Sequence, residues 1–442
     1  MSAETRSRSG CGRPAWALLC ALGLVFATAC GDDDDDEGKG DAGGGDSERF
    51  EGCDKIIKKG SDAEKIQTAL IEAKTKSTLC FEDGVFAIDR ELSLSVNEVT
   101  VRGNPKDRSK VLLDYTNQEE GKDALTATGD GFTIEHLSVK NSHGNAITAK
   151  GVKGVTFRDL KVTWDAGSVT SNGAYAVYPL SSSDVLVEDC EVVGASDAGL
   201  YVGQSTNIIV RNNVVHGNVT GIEIENSDDA LVTGNRAYDN TAGILVFTLP
   251  FLERKSGHRT IVENNQLEMN NHENYGQMGT TVSFVPPGLG MLVLSYDQLE
   301  IRKNTFKGNK TAGVLAVSNQ TFQTICVLNG GKDCGATDPD TDPDLSKLYI
   351  HDNTFTDNGQ DPDSGVAALL GAKLENVLWD GHKPPSQIDE DQLCLGDNPT
   401  TVRVFGDQKG IIYDIEKQLT DSSKFKCTLP SPFEKIELPQ DK

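Results

Sequence analysis

Basic residues are scarce in this 442-residue chain: 42 Lys and Arg stand against 67 Asp and Glu, for a formal charge of −25. Such a surface repels nucleic acid and anionic lipid, and no basic face offsets it, which argues against nucleic-acid binding. Aromatic residues are also few, at 6%, with three Trp, while Gly reaches 45. That balance argues against a helical core and suits many short strands joined by tight turns. No apolar run is long enough to span a bilayer; AWALLCALGLVFATA, near the N-terminus, is too short and ends in small residues. Several chemistries lack their motifs as well: there is no CxxCH haem site, no GxSxG elbow and no HExxH zinc motif.

What is present begins with an address. The basic segment RSRSGCGR precedes the apolar run, as in a secretion signal. The junction ATAC-G resembles a bacterial lipoprotein signal, which implies removal of residues 1–29 and acylation of Cys30. The spacer GDDDDDEGKGDAGGGD, within 30–49, is too charged and Gly-rich to fold and reads as a tether. The expectation is an exported protein, lipid-anchored to the cell envelope in the periplasm or at the outer membrane. Setting aside Cys11, Cys20 and Cys30 leaves seven of ten cysteines in an oxidising compartment. Proximity in sequence pairs Cys53 with Cys80, Cys326 with Cys334 and Cys394 with Cys427, leaving Cys190 over.

The middle of the chain repeats itself. STNIIVRNNVVHGNVTGIEIENS (205–227) aligns with DDALVTGNRAYDNTAGILVFTLP (228–250) at a period of 22 to 23 residues, and YDQLEIRKNTFKGNKTAGVLAVS (296–318) fits the same frame. Each unit has three short apolar β-like bursts, none long enough to form a core alone, so each reads as one coil of a solenoid. Asn213, Asn235, Asn265, Asn304 and Asn353 form one column, and Asn218, Asn240, Asn270, Asn309 and Asn358 a second. Stacked Asn at turns is a structural feature, and Cys190, in the first column, reads as a small buried residue. Gly199, Gly221, Gly243, Gly290, Gly313 and Gly365 align before a strand, where a backbone bend is the expected reason.

This pattern resembles the right-handed parallel β-helix repeat of pectate lyases, polygalacturonases and alginate epimerases, over residues 80 to 371. The strings NGAYAVYPL, GASDAGLYVGQS, GIEIENS and AGILVF resemble more narrowly a family of exported bacterial β-helix lipoproteins. That resemblance implies a gene neighbour, a di-haem cytochrome-like protein, as a partner. The expected fold class is all-β, with an amphipathic capping helix in SDAEKIQTALIEAKTK within an N-terminal cap, 50–79. There Ser61 and Glu64 have capping-box spacing and Ile66, Ala69, Leu70 and Ala73 form an apolar stripe. Residues 372–442 lose the period and read as an irregular C-terminal cap.

Insertions interrupt the period after Trp164, after Phe247, within 271–289 and within 319–344, where loops commonly wall a binding surface. With Leu200, Val202, Ile222, Ile224, Ile244 and Val246 pointing inward, alternation turns Tyr201, Glu223, Glu225, Leu245 and Phe247 outward, joined by Thr148, Lys150, Ala176 and Tyr178. Asp197 feeds the same face. Aromatics mixed with carboxylates suit a sugar chain, so Tyr178, Tyr201, Glu223, Glu225 and Phe247 are the candidate ligand-binding residues. Asp197, Glu223 and Glu225 are candidates for an acid and a base, or for Ca²⁺ ligands. The expected role is binding of a polysaccharide or a partner protein; the alternative is a polysaccharide lyase, hydrolase or epimerase.

The enzyme motifs of the resembled families are not matched. The clustered aspartates of polygalacturonases reduce here to Asp228 and Asp229 in another position. The Asp-Pro-His-Asp string of alginate epimerases has only NSHGN, with His143, as an analogue. No Arg stands near Glu223 to serve as the base of a pectate lyase. His143 and His216 read as turn residues. DPDTDPD (338–344) alternates carboxylates like a calcium loop, but lacks the Gly at the sixth position and the Glu at the twelfth, and reads as a mobile acidic loop.

Overall fold

The computed structural model describes residues 49–328, 338–383, 391–407 and 417–441. The expected signal segment, Cys30, the expected acidic tether and Cys334 lie outside the described residues. Among those described, no helix is long and apolar enough to cross a membrane.

The chain winds as a right-handed parallel β-helix. Tyr201 lies beside Glu223 and Glu223 beside Leu245, so one coil advances by 22 residues. Eleven strands, from Arg90–Leu94 to Val402–Val404, form one continuous parallel sheet. A second sheet holds the other two strands of each coil, such as Thr206–Arg211 and Val214–His216. Leu200, Val202, Ile222, Ile224, Ile244 and Val246 all point into the coil and are fully buried.

The Asn columns are hydrogen-bonded ladders. Each Nδ2 donates to the Oδ1 one coil on: Asn213 to Asn235 at 2.9 Å, Asn235 to Asn265 at 3.0 Å, Asn218 to Asn240 at 3.0 Å. Cys190 heads the first column, its N–H donating to Asn213 Oδ1 at 2.9 Å. The left-handed backbone falls one residue earlier, at Asp189, Asn212, Asn264, Lys303 and Asp352, so the ladder Asn serves as a bonding residue and its predecessor turns the chain. The Gly column has a steric cause: a Cβ on Gly221 would lie 2.5 Å from the Gly243 carbonyl oxygen, and one on Gly243 2.6 Å from that of Gly290.

Other expectations need correction. Gly365 leaves the column, because Ser364–Leu370 is a helix N-capped by Asp363, which accepts from the Gly365 and Val366 N–H groups. SGVAALL, rich in Ala and Leu behind an Asp cap, favours that conformation over a strand. Residues 372–442 are not wholly irregular: Val377–Trp379, Leu393–Cys394 and Val402–Val404 extend the sheets in bursts too short and widely spaced to show a period. His216 ends a strand and stacks on Tyr238, ring centres 4.7 Å apart. His143 is exposed.

The helix near the N-terminus is Ala63–Ile71, capped by Asp62 rather than Ser61: the Asp62 side chain accepts from Lys65 N–H at 2.9 Å. Ala63, Ile66, Ala69 and Leu70 are buried and join the core cluster of the coils. Disulfides link Cys53 to Cys80 and Cys394 to Cys427. Cys326 is buried in the helix Asn319–Leu328. Cys190 is a buried thiol whose pKa burial pushes up to about 12, which leaves it unreactive.

Candidate functional site

On the outer face of the eleven-stranded sheet, register aligns side chains from successive coils in two columns. One runs through Tyr201, Glu223, Leu245, Leu292 and Leu315, preceded by Thr148 and Tyr178. The other runs through Gly203, Glu225, Phe247, Leu294 and Val317. The sequence pattern leaves this face open to solvent. In the structure it is covered: Tyr201 is 4% exposed, Glu223 3%, Glu225 7% and Phe247 6%.

The cover is built from the insertions. Val282 and Val285 of the 271–289 insertion, with Phe322 of the helix Asn319–Leu328, pack on Leu245, Phe247 and Leu292 as a second apolar cluster outside the coil. Tyr275 fixes this insertion, its hydroxyl lying 2.7 Å from the Ala195 carbonyl oxygen and 2.6 Å from that of Gly217. The insertion after Trp164 braces it, Thr170 Oγ1 donating to the Tyr275 carbonyl at 2.8 Å. DPDTDPD is tied to the insertion after Phe247: Asp338 accepts from Phe251 N–H at 2.8 Å and from Lys255 Nζ at 2.9 Å.

Beneath the cover is a cavity of about 350 Å³ lined by Asp197, Glu223, Glu225, Tyr175, Phe247 and Thr280, among others. Asp197 immediately precedes the strand Ala198–Gly203, and Thr220 N–H donates to its carbonyl at 2.7 Å, joining it to the next coil. Tyr175 donates to Asp197 Oδ2 at 3.1 Å, Thr220 Oγ1 to Glu223 Oε1 at 2.7 Å, and the Tyr201 hydroxyl to Glu225 Oε2. Tyr175 and Tyr178 stack with ring centres 4.6 Å apart and planes 4° from parallel, and Tyr201 tilts against both, at 4.7 and 4.8 Å.

The three carboxyls meet no cation: no ion pair reaches Asp197, Glu223 or Glu225 among the described residues. Buried acids on the other sheet are treated differently. Glu135 pairs with Arg102 at 2.7 Å and Arg158 at 3.2 Å, and Glu188 with Arg211 at 2.6 Å. Burial opposes ionisation of Glu300, yet bonds from His351, Ser431 and Arg302 hold its pKa down to about 2. At the cavity, burial wins. It pushes Asp197 up to about 7, helped by the Glu225 charge and opposed by the Tyr175 bond. It raises Glu225 to about 7 against the Tyr201 bond, and lifts Glu223 well above the carboxylate range, with repulsion from Asp197 adding. Near neutrality the site therefore holds acids that can both donate and accept hydrogen bonds.

Among the described residues, the one set of three His, Cys or acidic groups with ligand atoms within 4.8 Å of one another is Asp391, Cys394 and Cys427. Two of those are joined in a disulfide. Asp197, Glu223 and Glu225 do not form such a set in this arrangement. Asp228 is engaged by Arg254 and by His258 at 2.7 Å, and Asp229 by Arg259, so that pair is structural.

The structure thus brings together Asp197, Glu223, Glu225, Tyr178, Tyr201 and Phe247, all named from the sequence. Lys150 is exposed and takes no part. Tyr175 and Thr220 were missed. Tyr175 stands in NGAYAVYPL three residues before Tyr178, and because strict alternation puts these two on opposite faces, only the later one drew attention.

Residues 167–329 match the family model described as right handed beta helix region. No curated protein matches the sequence. Among solved structures, the chain is similar to the A-module of the Azotobacter vinelandii mannuronan C-5 epimerase AlgE6, at 13% identity and a TM-score of 0.47 over 73% of this chain and 78% of that one. It is also similar to the GH136 lacto-N-biosidase of Eubacterium ramulus, at 13% identity and a TM-score of 0.44 over 65% of this chain and 60% of that one. Endopolygalacturonase I of Stereum purpureum gives 13% identity and a TM-score of 0.41 over 70% and 94%. Likeness at this level does not bear on chemistry.

Proposed function

We propose that the covered cavity binds a sugar residue of an uncharged glycan. The observation that carries this reading is the group of three carboxyls without a counter-charge that lines a cavity of about 350 Å³ together with Tyr175, behind which Tyr178 and Tyr201 pack. Tyrosine rings offer apolar surface to a pyranose, and partly protonated carboxyls satisfy hydroxyls as donors and acceptors. A uronate would bring a further negative charge into a space where burial already resists ionisation of the carboxyls, which disfavours it. A second reading has its own support: Asp197 and Glu225, both raised to about 7, can each give or take a proton near neutrality, as acid–base cleavage or epimerisation requires.

The test incubates the protein with a panel of uncharged glycans and polyuronates, with and without Ca²⁺. Retention of an uncharged glycan without turnover is the expected result. Chain shortening, unsaturated ends or C5 inversion that Glu225→Gln abolishes would replace binding by catalysis. Retention of polyuronates only with Ca²⁺ would assign the carboxyls to a cation instead. If no glycan is held, a partner protein takes its place, and capture of a di-haem cytochrome is then measured. Export and lipid attachment at Cys30 complete the proposal: Cys30→Ser is expected to move the protein from the membrane fraction to the soluble one.

A further inference from the structure

The two outward columns change character along the solenoid axis. Through the earlier coils they read Thr148, Tyr178, Tyr201 and Glu223, with Glu225 alongside; through the later ones Leu245, Leu292 and Leu315, with Phe247, Leu294 and Val317 alongside. At about 4.8 Å per coil, the aliphatic stretch from Leu245 to Leu315 extends roughly 10 Å. Over it lies a second cavity, of about 540 Å³, lined by Leu292, Leu315, Val317, Phe284, Leu369 and Phe405, among others. The two cavities share Val285, Leu292 and Phe322, so the acidic end and the aliphatic end adjoin. At the rim of the aliphatic part, Met278 is 86% exposed and Leu369 37% exposed, large apolar side chains that a water-filled groove does not reward.

Resting on the sugar-binding reading above, we propose that the ligand is an amphiphilic glycoside, with its sugar among Asp197, Glu223 and Tyr175 and its hydrocarbon chain along Leu292, Leu315 and Phe405. Polarity matches at both ends. An uncharged head avoids adding charge to the acids, and a chain in the aliphatic cavity removes water from the apolar surface still exposed at its rim, at Met278 and Leu369. A peptide would bring backbone N–H and C=O groups into the aliphatic part with few partners, which a hydrocarbon chain does not. A free oligosaccharide would leave that part empty.

The experiment uses the full chain carrying Cys30→Ser, so that no attached lipid competes. Calorimetry compares octyl β-glycosides of glucose, galactose and mannose, each below its micelle concentration, with the corresponding methyl glycosides and with octanol. At least one octyl glycoside is expected to bind ten times tighter or more than its methyl counterpart and than octanol. Leu369→Asp and Met278→Asp, at exposed positions that folding tolerates, are expected to remove most of that gain and leave methyl glycoside binding unchanged. Equal binding of octyl and methyl glycosides would overturn the amphiphile and leave the sugar site standing. Octanol binding as tightly as every glycoside would overturn it as well, since the acidic end would then be idle. No binding by any glycoside would remove both.

Discussion

Burying a carboxyl without a counter-charge destabilises the folded state once the group ionises. Asp197 and Glu225 have folded pKa values raised to about 7, above the ordinary 3.8 and 4.5. Their contribution is therefore intact at pH values below the ordinary carboxyl range and is lost as pH rises through 7. Glu225→Gln keeps an oxygen to accept from Tyr201 and cannot ionise. Its melting temperature is expected to match wild type below about pH 4 and to exceed it by a few degrees at pH 8, read by scanning calorimetry. A difference that stays flat with pH would mean that Glu225 does not titrate in this range. Alternation in the sequence named these acids, because a period of two is visible wherever apolar and polar residues alternate. Their burial was not visible, because the cover comes from residues 271–289 and 319–328, which share no period with the strands beneath.

At the scale of the turn and the strand, the ladder carries a sharper expectation than composition does. Asn240 makes four bonds: its Oδ1 accepts from the N–H and the Nδ2 of Asn218, and its Nδ2 donates to Asn270 Oδ1 and the Val215 carbonyl. Asn353, at the end of its column, also makes four, accepting twice from Asn304 and donating to the Ile301 and His351 carbonyls. The difference is water, since Asn240 is fully buried and Asn353 partly exposed. Removing Asn240 strands dry partners, at about 1 to 3 kcal/mol for a buried polar group left unsatisfied, whereas water replaces much of what Asn353 supplies. In urea titrations Asn240→Ala is expected to cost about 3 kcal/mol and Asn353→Ala under about 1 kcal/mol; equal costs would mean the ladder's bonds are not what matters. The columns were legible because identical residues recur at one period. The helix Ser364–Leu370 was not, because SGVAALLG mimics a coil's Gly-led burst and only the Asp363 cap separates the two.

Across the whole molecule, each coil is stabilised mainly by its neighbours, so the weak places are the ends. The C-terminal tail counters this along one face. Ser431 donates to Glu300, Ile436 and Leu438 pack on Leu186 and Ile209, and Gln440 Nε2 donates to the Asp184 carbonyl at 2.7 Å. It thereby ties the strand Asp297–Arg302 to the earlier strand Ser183–Glu188. Removing 429–442 is expected to speed amide exchange in the strands from Ser183–Glu188 to Asp297–Arg302 while leaving the outer sheet's cavity intact, measured by mass spectrometry; unchanged exchange there would make the tail a passive passenger.

Two disulfides act at the first and last coils. Cys53–Cys80 spans 27 residues beside the strand Lys55–Ile57, and Cys394–Cys427 spans 33, with Cys394 in the strand Leu393–Cys394. On the chain-entropy account each restrains the unfolded chain by about 3 to 4 kcal/mol, and in a stack with nearest-neighbour coupling that effect is felt locally. Reduction is therefore expected to raise exchange in Lys55–Ile57, Thr78–Phe81 and Leu393–Cys394, while the Asn-laddered coils from Thr206 to Arg302 keep their protection. If all coils instead lose protection together, the solenoid behaves as one cooperative unit, and the end bonds stabilise the whole of it.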